Sequence, residues 1–546
     1  MITDRVDTAH SHIPVFSGWY KSLLFLLAII IAIHVLIYIA FGTALISFPF
    51  DYDQAEGFEL NNAILFARGD CPYCDNNIYP FFASGYAPFF HLLLVPFVWL
   101  FGPGYWYGRL IIFAATFVIA GYLSNAVYRE EKHKGAALVA GGAFLSSNYI
   151  YHIGPLLRQH LLMVMFETIA VVTIANSFNK KGRARHQSLL IAFAALLLAG
   201  YTKQLAYSTV IAVSLWVFLR NPRTSIIYSS GLAILAGTIF AVAMYITDGQ
   251  WWVNIISSNQ NEYITEQFIG LFRQFISLHW PLIFMALLMV LYEVYIDRIS
   301  VYSAWFVISI GSTVGAGKWG AGDSYFATTL AAACLLSGIF LARSIQHNWS
   351  FLTRLMHNIR FGSRYLPTIL GTASLVLMLI YSSQVFKIPT SGLFFGPLTD
   401  LLGIQPKPGH RYPLYDSADW TVGYAVTGHI PTKEDEENGW RIVERVKQAS
   451  GFVISEDAGF SILAGREVIT NPVQLRNLWE NDRLGDKGIY DPGELLMLIE
   501  EQKFGLIIRR GDFFPLPVRV AIDQYYQLDE SIPMNGFEYT LWIPKT

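Results

Sequence analysis

Residues 50–57 read Phe-Asp-Tyr-Asp-Gln-Ala-Glu-Gly, and they follow directly after the first long apolar run of the chain, Leu23–Phe48. Three carboxylates, Asp51, Asp53 and Glu56, therefore lie within six residues at the end of an apolar helix. Such a position puts them at a lipid–water boundary. The remaining sequence is typical of a membrane body that holds this loop and presents cations to it.

The composition places the protein in a membrane. It has 546 residues, of which 53% are hydrophobic and only 14% are charged, whereas soluble proteins carry roughly 25% charged residues. The net charge of -2 gives no indication of a nucleic-acid partner. The first apolar run is longer than a signal-peptide core, so we predict a retained helix that also acts as a signal anchor.

Apolar runs recur along the first 386 residues, and about 20 apolar residues are needed to cross a bilayer. The candidate spans are Leu23–Phe48, Gly108–Val127, Gly135–Tyr151, His160–Phe178, Ser188–Thr202, Leu205–Leu219, Ile226–Thr247, Trp280–Ile296, Val301–Gly315, Tyr325–Ile345 and Leu366–Phe386. A further run, Pro88–Phe101, is shorter, and we predict a partly embedded or re-entrant helix there. The fold class expected is mainly α, a polytopic transmembrane bundle of about 11–13 spans.

Lys and Arg set the orientation, because cytoplasmic loops carry more of them. One set of loops is basic (129–134, 180–185, 220–223, 298 and 343–364), and the opposite set holds single cations. We therefore predict a multi-pass protein of the cell inner (plasma) membrane with a cytoplasmic N-terminus. The acidic loop and everything after Phe386 are then extracytoplasmic.

Three domains are predicted. Residues 1–386 form the transmembrane domain, with an outer catalytic loop at 49–87. The Pro- and Gly-rich residues 387–410 form a linker, and residues 411–546 form a small extracytoplasmic α/β domain.

Local signals support the small α/β domain. Thr432 precedes a run of acids, which is typical of a helix N-terminus. Phe452–Ile454 and Leu506–Ile508 resemble short buried strands, and Pro492–Lys503 between them has helical spacing.

The acids of the first loop are the first candidates for chemistry. Carboxylates at this boundary can act as a general base or hold a divalent cation; the alternative is a solvated loop that caps a helix. Residues 57–67 are predicted to form a short interfacial helix that fixes the acids at headgroup depth. Its lipid-facing side would carry Phe58, Ile64 and Leu65.

Isolated cations on the outer side are the second set. Arg158, Lys203 and Lys318 each lie near a helix end, and the simplest reading of each is a snorkelling side chain. Three on one face favour a shared anionic ligand such as a polyprenyl phosphate. Their polar neighbours, which we include in the site, are His160, Gln204 and Tyr325.

Cys71 and Cys74 form a C-x-x-C in the same outer loop. A structural disulfide in an oxidising compartment is the favoured reading. A zinc half-site is weaker, because no second pair of ligands has matching spacing.

The chain resembles the GT-C superfamily of membrane glycosyltransferases, especially aminoarabinose transferase and the protein O-mannosyltransferases. The resemblance is carried by Asp53-Gln54-Ala55-Glu56-Gly57 with Gly69-Asp70, by Thr202-Lys203-Gln204, by Lys318 followed by Tyr325, and by residues 454–459 and 463–466. Two departures stand out: His160 follows Arg158-Gln159 where the family often has an Asp, and residues 79–86 lack its acid–lysine pair.

The resemblance implies an inverting glycosyltransferase of the cell envelope that uses a polyprenyl-phosphate sugar donor and a lipid, glycan or protein acceptor. Asp53 would be the base, with Glu56 and Asp51 assisting. The donor phosphate would be held by Arg158, Lys203, Lys318 and Tyr325. The metal requirement stays open, with a divalent cation as one option.

Two other classes of function compete with this reading. One is a transporter or flippase for lipid-linked sugars, which would more often show repeats and charges at mid-membrane. The other is a non-catalytic envelope assembly protein that binds through its outer domain, for which the isolated lysines would be dispensable.

Overall fold

The structure is a computed structural model that describes residues 17–349, 366–389, 392–403, 430–482 and 489–545. Helices dominate up to residue 403. They are α1 (Ser17–Ser47), α2 (Glu56–Arg68), α3 (Phe89–Phe101), α4 (Trp106–Glu131), α5 (Lys134–Ser146), α6 (Asn148–Ile153), α7 (His160–Ser177), α8 (Gly182–Thr202), α9 (Tyr207–Arg220), α10 (Pro222–Ile246), α11 (Gln250–Ile255), α12 (Thr265–Tyr295), α13 (Val301–Ser312), α14 (Ala327–Gln346), α15 (Leu366–Gln384) and α16 (Phe395–Leu402).

Every predicted span coincides with a helix, and seven of the described helices are long and apolar enough to cross a membrane. The span expected at Gly135–Tyr151 is divided, however, into α5 and α6. Ser147 causes the break: its backbone is extended, and its hydroxyl accepts a hydrogen bond from the N–H of Tyr149. A serine in that conformation starts a new helix rather than continuing the old one.

The predicted division of the loops into two groups is found. At one end of the bundle, Arg343 pairs with Glu131 at 2.5 Å, which joins two of the basic loops. At the other end, Asp53 of the first loop pairs with Arg158 at 2.9 Å. The acidic loop and the isolated cations therefore share one end, as expected; that this end is extracytoplasmic stays a prediction.

The C-terminal part is a small α/β unit with a four-stranded sheet in the order β1-β2-β4-β3. Its elements are α17 (Lys433–Gln448), β1 (Phe452–Ser455), α18 (Gly459–Leu463), α19 (Pro472–Asp482), α20 (Gly493–Glu500), β2 (Phe504–Arg509), α21 (Leu516–Tyr525), β3 (Tyr526–Met534) and β4 (Phe537–Pro544). The strands β1 and β2 are parallel, and β4 is antiparallel to both β2 and β3.

Local sequence signals account for much of this unit. Thr432 caps α17 as predicted, in a reciprocal capping box with Asp435. The hairpin β3–β4 turns at Asn535-Gly536, where both residues have positive φ, the combination that a two-residue type I′ turn requires. This hairpin was not predicted from the sequence.

Two expectations need correction. The helix expected at residues 57–67 exists as α2, but Phe58 and Ile64 are buried within the protein. Phe58 packs with Phe82 and Val468, so this side of α2 faces the C-terminal unit rather than lipid. Part of the predicted linker 387–410 is helical, as α16; residues 390–391 and 404–410 lie outside the described residues, and the domain boundaries remain predictions.

The first loop is attached to the bundle by a buried ion pair between Arg109 and Glu56 at 2.8 Å. Arg109, in the first turn of α4, also donates to the main-chain oxygens of three residues at the end of α1 and just beyond it: Leu45, Phe48 and Phe50.

Glu56 receives, besides the two hydrogen bonds from Arg109, three from main-chain N–H groups: those of Tyr52, Asp53 and Leu157. Burial alone would raise the pKa of Glu56, but Arg109 and these donors hold it below its usual value. Both oxygens of Glu56 are therefore occupied by structural contacts.

We predict that Arg109→Met lowers the free energy of unfolding by about 3–5 kcal/mol, because it leaves Glu56 buried without a counter-charge. The measurement is the unfolding midpoint of the purified protein in detergent. Arg129→Met, at an exposed position on the same helix, is the matched control. Equal midpoints for the two variants would contradict the structural role of Arg109.

Candidate active site

Asp53 and Arg158 form the centre of the site. Their Oδ2 and Nη1 atoms are 2.9 Å apart, and both side chains are largely buried. Burial raises the pKa of Asp53 above its usual value, and Arg158 opposes this rise. The sequence predicted both residues as functional, and the structure brings them into direct contact.

Lys203 joins this centre at the end of α8. Its Nζ lies 3.3 Å from Nδ1 of His160, and the other ring nitrogen of His160 lies 2.9 Å from the hydroxyl of Ser324. The ammonium also lies over the rings of Tyr86 and Tyr325. Burial and the nearby Arg158 hold the pKa of Lys203 well below its usual value, so an anion placed here would favour its charged form.

Lys318 and Gln204 lie to the side of this cluster. The Nζ of Lys318 is 3.4 Å from the main-chain oxygen of Asn259. The amide of Gln204 donates to the main-chain oxygen of Ile255. Of the three residues predicted to hold the phosphate, Arg158 and Lys203 are therefore adjacent to each other. The side chain of Lys318 instead contacts the main chain of Asn259.

Asp51 connects the first loop to the C-terminal unit. One carboxylate oxygen accepts from the N–H of Gly57, and the other from the N–H of Gly459 and the hydroxyl of Tyr105. A Cβ at Gly459 would lie 2.2 Å from Asp51 Oδ2, so glycine is required for this approach. Burial raises the pKa of Asp51 well above its usual range.

Glu59 and His91 form a second buried pair, which sequence reasoning missed. Glu59 Oε2 lies 2.5 Å from His91 Nε2, and the two residues are almost fully buried. Glu59 is three residues after Glu56, so the two acids lie on neighbouring positions of one helical face. That spacing was the available signal; His91, within a short apolar run, offered none.

Some of these side chains line a polar cavity between the first loop, neighbouring loops of the bundle and the C-terminal unit. Its volume is about 80 Å³. The lining includes Glu59, Asn62, Tyr86, Arg158, Tyr325 and Gln474. Asp53 is linked to the cavity through its ion pair with Arg158.

The C-terminal unit contributes a further charged pair, which lies near Asp53. Arg510 and Asp457 are buried and 3.2 Å apart, and Asp457 accepts from the hydroxyl of Tyr539 at 2.6 Å. Arg510 lowers the pKa of Asp53 electrostatically. The C-terminal unit thus contributes charge to the site as well as contact.

In the described part of the chain, no group of three or more His, Cys, Asp or Glu side chains is arranged to hold a metal ion. Asp53 faces an arginine, and the donors around Glu56 occupy both of its oxygens.

The predicted disulfide between Cys71 and Cys74 is not formed in this structure, in which both thiols are free. The Sγ of Cys74 lies 2.7 Å from the main-chain oxygen of Cys71. When Cys71 is ionised, the Cys74 thiol donates to its sulfur instead of to this oxygen, and that hydrogen bond lowers the pKa of Cys71 to about 6. Cys71 is exposed, whereas Cys334 is buried.

We predict that reduced protein reacts with a maleimide at Cys71 with a half-maximal rate near pH 6, because the thiolate is the reactive form. Cys74→Ala should move this midpoint up towards about 8.5, the value of a free cysteine. Labelling is read by mass spectrometry, with Cys334 as the unreactive internal control. A wild-type midpoint near 8.5 would contradict the hydrogen bond.

Comparison with known proteins identifies the fold. No family model and no curated protein matches the sequence. The structure of ArnT from Cupriavidus metallidurans bound to undecaprenyl phosphate matches with a TM-score of 0.53 and 13% identity, covering 96% of this chain and 98% of that one. The apo form of ArnT gives 0.55 and 12%, with the same coverage.

The oligosaccharyltransferase AglB from Archaeoglobus fulgidus, in complex with an inhibitory peptide and a dolichol-phosphate, gives a TM-score of 0.45 and 12% identity over 96% of this chain and 74% of that one. The likeness to ArnT extends over nearly the whole of both chains. The chain therefore has the fold of ArnT.

Proposed function

We propose that the protein is an integral-membrane glycosyltransferase that moves a sugar from a polyprenyl-phosphate donor to an acceptor at the extracytoplasmic face. The observation that carries the proposal is the contact of Asp53 with Arg158 at 2.9 Å, with Lys203 beside them. An arginine and a buried lysine next to a carboxylate match a reaction in which a phosphate leaves while a hydroxyl loses a proton.

The setting of the site supports the same proposal. The fold is that of ArnT, which has been solved with undecaprenyl phosphate. A lipid-linked donor requires a polar site at the end of a membrane bundle, and the cavity lies at such an end. We place it at the outer face of the inner (plasma) membrane, because the loops at the opposite end are the basic ones.

Arg158 and Lys203 would hold the donor phosphate. The guanidinium of Arg158 has five N–H donors, so it can contact a phosphate and still hold Asp53. A bound phosphate favours the protonated form of Lys203, because the negative charge offsets the effect of burial, which lowers the pKa of Lys203. The hydroxyl of Tyr325, on the cavity wall, would donate a further hydrogen bond.

Asp53 would act as the base. The acceptor oxygen forms a bond to the anomeric carbon, the bond from that carbon to the phosphate oxygen breaks, and the acceptor proton passes to Asp53. In-line displacement inverts the anomeric configuration. The raised pKa makes Asp53 a stronger base than an ordinary aspartate, and fixed cations in a water-poor site stabilise the departing phosphate.

Glu56 and Asp51 would position the base rather than react. The N–H of Asp53 itself donates to Glu56, and Asp51 holds the same loop against the C-terminal unit. The carboxylate of Glu59 is on the cavity wall, where it would orient the acceptor or the sugar.

The competing readings differ in what they require of these groups. A flippase needs the cations but no base, whereas an assembly protein needs neither. Counterflow of a labelled lipid-linked sugar with no transfer product would favour the flippase.

We predict that Asp53→Asn lowers turnover roughly 10²–10⁴-fold, the usual contribution of a positioned base. The assay measures transfer from a panel of polyprenyl-phosphate sugars in membranes, with and without a chelator. Asp248→Asn, at an exposed position between α10 and α11, is the control and should keep wild-type turnover.

The pH profile gives the second readout of this prediction. Asp53 must be deprotonated, so kcat should rise with pH through a midpoint above the ordinary value of an aspartate. Turnover of Asp53→Asn within threefold of wild type would remove Asp53 from the mechanism.

A further inference from the structure

Three side-chain amides in the wall of the cavity, those of Asn62, Asn261 and Gln474, each leave a carbonyl oxygen unpaired, and the partners of Asn261 and Gln474 fix the orientation of these two. The Nδ2 of Asn261 donates to the main-chain oxygen of Trp319 at 2.6 Å, and the Nε2 of Gln474 donates to Oδ1 of Asn254. The other ends, Asn261 Oδ1 and Gln474 Oε1, are buried and have no hydrogen-bond partner. Both residues line the cavity.

The orientation of both amides follows from their partners. The main-chain oxygen of Trp319 can only accept, so it must face the nitrogen of Asn261. Asn254 is oriented by its own Nδ2, which donates to the main-chain oxygens of Cys74 and Gln250; its Oδ1 must therefore accept from Gln474. Rotating either amide by 180° would place two oxygens against each other, so the unpaired atoms are acceptors.

Unpaired buried acceptors are unusual, because a buried polar atom without a partner costs free energy. Here the two oxygens come from separate parts of the chain: Gln474 from α19 of the C-terminal unit and Asn261 from the outer loop before α12. The carboxylate of Glu59 lines the same cavity. This part of the wall therefore offers hydrogen-bond acceptors, and a ligand that binds there must supply hydrogen-bond donors.

The size of the cavity limits the ligand. A buried water takes roughly 10–15 Å³ on this measure, so about 80 Å³ corresponds to about five to eight water molecules. That is close to the space of one sugar ring. A Cβ on Gly85 would lie 3.2 Å from Gln474 Oε1, so glycine keeps the space beside this oxygen open.

We propose that Asn261 and Gln474 form a subsite for the hydroxyl groups of the transferred monosaccharide. This inference rests on the proposed function, since the sugar enters attached to the phosphate held by Arg158, which lines the same cavity. The hydroxyls donate to the two amide oxygens. An acidic sugar is rejected, because its carboxylate would meet these oxygens and Glu59. The C-terminal unit therefore takes part in the selection of the sugar.

The test measures the affinity of the full chain in nanodiscs for three probes: undecaprenyl phosphate, its glucosyl derivative and its glucuronosyl derivative. We expect the wild type to bind the glucosyl lipid about tenfold more tightly than undecaprenyl phosphate, from two hydrogen bonds to buried acceptors. The glucuronosyl lipid should bind no more tightly than undecaprenyl phosphate.

Two variants should remove the preference for the glucosyl lipid over undecaprenyl phosphate, each by a different change at the subsite. Gln474→Met deletes the acceptor, whereas Gly85→Ala keeps it but places a methyl group 3.2 Å from it, so that this amide shifts by only a few tenths of an ångström. In both, the ratio of the affinities for the glucosyl lipid and undecaprenyl phosphate should fall at least threefold. Gln448→Met, at an exposed position of the same unit, is the control and should keep the wild-type ratio. If Gln474→Met fails to fold, Gly85→Ala carries the test.

The outcomes separate the two proposals. Equal affinity of the wild type for all three probes, or a wild-type ratio in Gly85→Ala, overturns the subsite while the lipid-phosphate site stands. No measurable binding of undecaprenyl phosphate to the wild type overturns the proposed function and the subsite with it.

Discussion

The buried ion pair between Arg109 and Glu56 is the constraint on which the rest of the site depends. A carboxylate without exposure is stable as an anion only when donors surround it, and Glu56 has Arg109 and three main-chain N–H groups. One of these N–H groups belongs to Asp53 and another to Leu157, the residue before Arg158. The same carboxylate therefore holds both members of the central ion pair, from two loops far apart in sequence.

The C-terminal unit completes this arrangement. Asp51 anchors it through the N–H of Gly459, and the amide of Gln54 donates to the main-chain oxygen of Glu456 at 2.8 Å. The unit packs against the first loop, in which Asp53 is buried, and Lys203 beside it is buried as well. In that environment charges act on each other more strongly than in water, and the unusual pKa values of Asp53 and Lys203 follow from it. Burial of these charged groups therefore costs free energy of folding, and it also produces the shifted pKa values that the proposed reaction uses.

The sequence allowed the helices, the grouping of the loops and part of the site to be predicted. Apolar length is a strong signal, so every predicted span is helical, although Gly135–Tyr151 is divided between α5 and α6. The distribution of Lys and Arg placed Asp53 and Arg158 at the same end. The role of Glu56 could not be predicted, because a buried ion pair and a catalytic acid have the same local pattern. Arg109 lies inside a predicted span, and its partners are known only once the helices are packed. Gln474 and Asn261 could not be predicted as site residues, because they come together only when two distant segments of the chain pack against each other. The pair of Glu59 and His91 could not be predicted for the same reason.

The most direct test of the central claim is an experimental structure of the protein with bound undecaprenyl phosphate. The account predicts that the phosphate lies within hydrogen-bond distance of both Arg158 and Lys203, with Asp53 next to it. A phosphate bound at another position of the bundle, with the Asp53–Arg158 pair unchanged and no contact to Lys203, would contradict it.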